Sequence, residues 1–268
     1  MKKVLHKLLV IIFFPIILLT SFFGCGGSSY SKDIIQAIKS DDVVLLKQLI
    51  DKGGDLNQSP MSQGCANFTE SSNWPPLHYA CQYGKFEAVK LLVEGGANVN
   101  LQYSNQKYTP LVAAFITPDY KKSIVKYLLE NGADPLLSTT RGENLFTELG
   151  FADVQFANEI ITILHNQGAF ERAEQKDKNI LFDHACRGGA LMVMEFVLSN
   201  NYVNINAIID NQTFLMRTVR FNVYKGVETV ELLLNNGADK TIKDNNGKTA
   251  LDIAIEKDLQ DIIPLLQD

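Results

Sequence analysis

Apolar residues recur along this chain in short blocks with helical spacing. In "FEAVKLLVEGG", Val89, Leu92 and Val93 fall on one face of a helix, with Glu87, Lys90 and Glu94 between them. A glycine pair follows, and Gly96 is placed to end the helix in a left-handed conformation. Just upstream, "PPLHYACQYG" predicts a shorter helix, joined to this one by a tight turn. The elements are therefore a short helix, a tight turn, a second helix and an extended loop.

The block repeats. "IIQAIKSDDVVLLKQLIDKGGDLN" aligns with "PLHYACQYGKFEAVKLLVEGGANVN" without a gap, and "TPLVAAFITPDYKKSIVKYLLENGADP" aligns with two extra residues. Looser copies start near Asn144, Ile180 and Thr213, and a truncated seventh starts at Asn246. Anchor positions are Ile34, Leu77, Leu111, Leu145, Phe182, Leu215 and Leu251, spaced by 33 to 37 residues after a first interval of 43. The helix-ending place of Gly96 is held by Gly53, Gly132, Gly168 and Gly237, and by Asn201 in the fifth copy. Ala80 sits where one copy meets the next and a larger side chain would not fit.

A period near 33 with "TPL", "GADP" and "GGANVN" resembles the ankyrin repeat, over about residues 31–268. The resemblance implies an all-α solenoid of about seven helix-turn-helix units with hairpin loops, acting by binding another protein. It also implies that contacts come from hairpin tips and from the concave side of the first helices. In this sequence those places hold Ser72 and Trp74, Gln82 and Tyr83, Gln106 and Tyr108, Asn179 and Arg187, and Gln212, Arg220 and Phe221. From these, Trp74, Tyr83, Tyr108, Arg187, Arg220 and Phe221 are the candidate partner contacts, being of types prominent at interface hot spots or large and aromatic. Trp74 has a second reading, as a packing residue bracing its loop through Pro75 and Pro76. The long first interval places an insertion of about ten residues between Asn57 and Pro76, a location often used for binding.

The repeat changes how the polar residues read. His78 with Cys81, and His184 with Cys186, look at first like two copies of a reactive pair. Against the repeat, the histidines occupy different places and Asp183 stands where His78 does. The resemblance makes His78 structural, bonded within its turn and to its neighbour, and leaves His184 an ordinary, partly exposed residue. The cysteines share the place after the repeat's alanine, which favours a small buried thiol. Three repeats apart, they are too distant for a disulfide. Cys65, in the insertion, is the cysteine expected to be exposed. The chain has no phosphate-cradling glycine loop, metal-binding helix motif or serine elbow. No cofactor, metal or small-molecule substrate is called for. A thiol enzyme centred on Cys65 or on His78–Cys81 is the competing enzymatic reading. Within the binding class, an inhibitor or immunity protein competes with a scaffold or adaptor.

The first 24 residues differ from the rest. A basic start, "MKKVLHK", precedes the apolar run Leu8 to Leu19, too short to span a bilayer comfortably and suited to a secretory signal core. Gly24–Cys25 then resembles a bacterial lipoprotein processing box, though Phe22 and Phe23 replace the usual Leu and small residue. That resemblance implies a signal peptide over 1–24, lipid on Cys25, a short tether over 25–30 and residence in the bacterial envelope. An uncleaved N-terminal anchor and a soluble secreted form are the alternatives. The net charge is −5, and the first 24 residues hold three lysines and no acid, so the remainder is more acidic still. Without a basic run, nucleic acid is not an expected partner.

Overall fold

In a computed structural model, the described residues are 29–60, 74–115, 122–221 and 225–267. They form seven antiparallel helix pairs stacked side by side. The pairs are α1 (Ser29–Lys39) with α2 (Val43–Asp51), α3 (Pro76–Gln82) with α4 (Phe86–Glu94), and α5 (Pro110–Phe115) with α6 (Lys122–Glu130). Then follow α7 (Leu145–Glu148) with α8 (Val154–Asn166), the single turn α9 (Ala169–Arg172), and α10 (Gln175–Gly188) with α11 (Leu191–Ser199). The last pairs are α12 (Phe214–Phe221) with α13 (Gly226–Asn235), and α14 (Ala250–Glu256) with α15 (Ile263–Leu266).

The core is a column through the stack. Ala37, Ala80, Ala114, Ala185 and Ala254 are all fully buried, and Thr218 holds the same place in the sixth pair. Val89 and Leu92 of α4 are fully buried and Val93 is half-buried, as their spacing predicts. All six helix-ending residues read from the repeat have positive φ, from +54° at Asn201 to +92° at Gly96. At Gly96 the backbone N–H donates to the Val93 carbonyl and the next N–H, of Ala97, donates to Leu92, which closes the last turn of α4.

Neighbouring repeats are tied by asparagines. The Asn57 side chain accepts from Asn98 N–H, Asn100 accepts from Asp134 N–H, and Asn206 accepts from Asp239 N–H, each at 2.8 Å. Among the described residues, hairpins precede four of the pairs. Tyr103 and Tyr108 exchange both backbone hydrogen bonds, Thr139 N–H donates to Glu143, and Asp244 N–H donates to Lys248. The fourth is an antiparallel ladder of β1 (Ile208–Ile209) and β2 (Gln212–Thr213).

The expected loop fails between the fourth and fifth pairs. There α9 and the first turns of α10 stand in its place, so Asn179 lies within a helix rather than on a hairpin tip. The fourth pair is also unequal: α7 has four residues, continues as a 3-10 turn (Leu149–Phe151), and is followed by a 13-residue α8. Gly150 in that turn allows a close approach to α10. A Cβ there would lie 2.5 Å from Ala185 N and 2.7 Å from the Leu181 carbonyl oxygen.

Candidate partner-binding surface

The six candidate contacts separate into three groups. The first is buried. Trp74 is 7% exposed, its ring 5.4 Å from Tyr108 and edge-on to His78 at 5.9 Å. The expectation that Trp74 presents its face to a partner is corrected here. Pro75 and Pro76 open α3 directly after it, and the hairpin carrying Tyr108 closes over its ring. Tyr108 is half-buried, its backbone locked to Tyr103 and its ring against Trp74. Beneath them His78 is fully buried, with Nε2 donating to the Tyr108 carbonyl at 3.0 Å. Burial pushes its pKa down to about 4, and the Tyr108 and Leu101 carbonyls offset only part of that. A neutral imidazole tying one repeat to the next hairpin is the structural role the resemblance implied.

Tyr83 forms the second group. It ends α3, is 48% exposed, and stacks on Tyr79 at 4.4 Å between ring centroids. The stack fixes the ring, so a contact made there costs little side-chain entropy.

The third group, Arg187, Arg220 and Phe221, lies on the fifth and sixth pairs. Phe221, at the end of α12, is 46% exposed. The Arg187 guanidinium sits 4.3 Å from its ring centroid and that of Arg217 5.7 Å. Arg217 donates from Nε and Nη2 to both carboxylate oxygens of buried Asp183, at 2.6 and 2.8 Å. That pairing holds the guanidinium all the more firmly protonated. Arg187 lies 3.7 Å from the same carboxylate, and Arg220 faces Asp244 at 3.6 Å. Asp183 thus replaces the histidine link of the second repeat with an ion pair across repeats. Neither Asp183 nor Arg217 was singled out as a site residue. The available signal was an acid in the histidine place, with an arginine one place later in the next repeat.

The cysteines behave as packing residues. Cys81 and Cys186 are free and buried, and burial drives both thiols far up from their ordinary pKa. A protonated, enclosed Cys81 is no nucleophile, so the His78–Cys81 centre is set aside. His184 is partly exposed, as expected, and is tied through Nδ1 to the Thr147 carbonyl at 2.8 Å, which makes it a second inter-repeat link. Cys25, Cys65 and Ser72 lie outside the described residues. Among the described residues no cluster of three or more His, Cys, Asp or Glu could hold a metal, and no helix is long and apolar enough to cross a membrane.

A stacked scaffold with a rigid core, presenting ring-and-guanidinium groups at the ends of its first helices, is a repeat-type protein-interaction module. The profile of the family "Ankyrin repeats (3 copies)" matches residues 34–139 and 184–268, and the chain belongs to that family. The match passes over 140–183, where the hairpin is replaced. Among solved structures, the human ASB11 ankyrin repeat domain superposes with a TM-score of 0.63 at 23% identity, covering 88% of this chain and 97% of that domain. The ankyrin repeat domain of Bcl-3 gives 0.56 at 22% identity, covering 71% and 84%. The chain is 25% identical over 256 residues to the E3 ubiquitin-protein ligase KEG of Arabidopsis thaliana, covering 91% of this chain and 16% of the ligase. It is 30% identical over 224 residues to the probable palmitoyltransferase AKR2 of Saccharomyces uvarum, covering 82% and 24%. The chain spans a quarter or less of the length of these two relatives.

Proposed function

We propose that this chain is exported, anchored to a bacterial membrane by lipid on Cys25, and acts there as a scaffold or adaptor that captures another protein. The observation that carries the binding half is the contrast between a fully buried column of alanines and Thr218 and the exposed Tyr83 and Phe221, with half-buried Arg187 and Arg220, on first-helix ends. Aromatic and arginine side chains held on a rigid frame are the usual anchors of an interface. The membrane half rests on the basic start, the short apolar run and Gly24–Cys25. Mass spectrometry of the mature N-terminus tests it: a lipid-bearing Cys25 is expected, and an unmodified thiol there refutes it. Cys25→Ala is expected to leave unprocessed precursor and release the repeat domain from washed membranes. Affinity capture from envelope extracts, with the full chain as bait, tests the binding half; failure to retain any protein above a bare-resin control counts against it.

A further inference from the structure

We propose that the ledge formed by Arg187, Phe221 and Arg220 receives an acidic segment of the partner protein, with a carboxylate on Arg220 and an apolar side chain against the exposed part of the Phe221 ring. The proposal rests on the protein-binding reading and narrows it to a partner chemistry.

Three observations carry it. First, the charges are layered. The Asp183 and Asp244 side chains are 5% and 3% exposed, whereas those of Arg187 and Arg220 are 31% and 41% exposed. An approaching chain therefore meets the guanidinium edges of Arg187 and Arg220 before the carboxylates behind them, while the exposed Asp210 beside Arg217 forms the far wall of the neighbouring cleft. Second, Arg220 has donors to spare. Its Nη2 is 3.6 Å from Asp244, beyond hydrogen-bonding distance, so that carboxylate does not take up the outer edge of the guanidinium. The other oxygen of Asp244 accepts from Asn246 and Lys248 N–H at 2.8 and 3.0 Å, which fixes the carboxylate within its own turn. A planar guanidinium with unused N–H groups matches an external carboxylate.

Third, there is room for a peptide. A cleft of about 260 Å³ lies between the tips Asp210–Gln212 and Asp244–Asn246, lined also by Arg220. The carboxamides of Asn211, Gln212 and Asn245 can pair with peptide N–H and C=O groups. The rest of the chain works against a merely adhesive explanation. At a net charge of −5 the molecule as a whole repels an acidic segment, so affinity for one has to come from a local basic ledge.

The test uses the full chain in detergent and fluorescein-labelled dodecapeptides, measured by anisotropy. One repeats Glu-Glu-Phe, a second repeats Gln-Gln-Phe, and a third repeats Glu-Glu-Gly. The Glu-Glu-Phe peptide is expected to bind, to weaken with added salt, and to exceed each of the other two by about tenfold. Arg220→Gln and Phe221→Ala are each expected to lower its affinity about tenfold or more, Arg220→Lys less, and Tyr83→Ala not at all. Circular dichroism melts on the same samples show whether a variant is folded; Arg220→Lys preserves the charge should Arg220→Gln unfold. Equal binding of the Glu and Gln peptides, no binding of either, or undiminished binding by folded Phe221→Ala overturns the proposal. If Phe221→Ala and Arg220→Lys still capture the envelope partner in full, the acidic ledge falls and the general binding reading stands. If wild-type chain captures nothing yet binds the Glu-Glu-Phe peptide as stated, the reverse holds.

Discussion

His78 shows how one side chain carries both architecture and a pH response. Its neutral ring donates to Tyr108 across the repeat boundary, and full burial removes it from the solvent that would stabilise a charge. The unfolded chain binds that proton below about 6.5, the folded chain only below about 4, so the unfolded state holds more protons between those values. Stability is therefore fully present above the ordinary histidine pKa and falls as pH drops through the window. The shift amounts to roughly 3 kcal/mol at 1.36 kcal/mol per unit. Urea midpoints at pH 7.5 and 4.5 should accordingly separate less in His78→Gln than in wild type, because glutamine can still donate to Tyr108 without titrating. Identical separations would mean that the ring does not carry this linkage. The histidine's structural role was legible from its place in the repeat. The burial of Trp74 was not, because it depends on a hairpin thirty residues on folding back over the ring. Nothing in "NWPP" distinguishes a bracing tryptophan from a presented one.

Among the elements, the two kinds of glycine make a clear contrast. At Gly96 a Cβ would meet nothing within 4 Å, so the penalty for substitution lies wholly in the backbone at φ +92°. At Gly150 a Cβ collides with backbone atoms of α10. Gly96→Asn should then be milder than Gly96→Ala, since asparagine tolerates the left-handed region, both costing on the order of 1–2 kcal/mol. At Gly150 the order should invert, with alanine costing about 1–3 kcal/mol and asparagine more. Denaturant midpoints of the four variants decide this, and the same order at both sites would contradict it. The helix-ending glycines were readable because a conformational requirement recurs with the repeat. Gly150 was not, because its reason is a contact with another helix. The same limit hid the extent of α7 and α10: "NLFTELGFADV" keeps the apolar spacing of a first helix, yet α10 approaches so closely that the turn tightens into a 3-10 segment.

For the whole molecule, the solenoid makes surface and core separable. In a stack where each unit contacts its neighbours alone, an exposed change stays local and a buried one spreads along the column. Trp74→Ala is thus expected to lower stability by about 3–5 kcal/mol, the usual cost of deleting a buried aromatic. Tyr83→Ala, at an exposed helix end, should shift stability by less than about 0.5 kcal/mol. If Tyr83 is a contact, its variant loses partner capture while its melting curve holds. Melting curves and capture by both variants separate the roles, and a stable Trp74→Ala would refute the brace. The architecture and its period were legible from one sequence because each copy repeats the same burial problem, whereas the Asp183–Arg217 link arises where two copies solve it differently. The first turns of α10, with α9 before them, also stand where the row of hairpin fingers would continue. A ligand tracking those fingers would meet a helical shoulder there and have to step over it. A partner long enough to use both sides would then hold on by two separate grips joined by a slack strap, and cutting that strap should abolish avidity while leaving each grip intact.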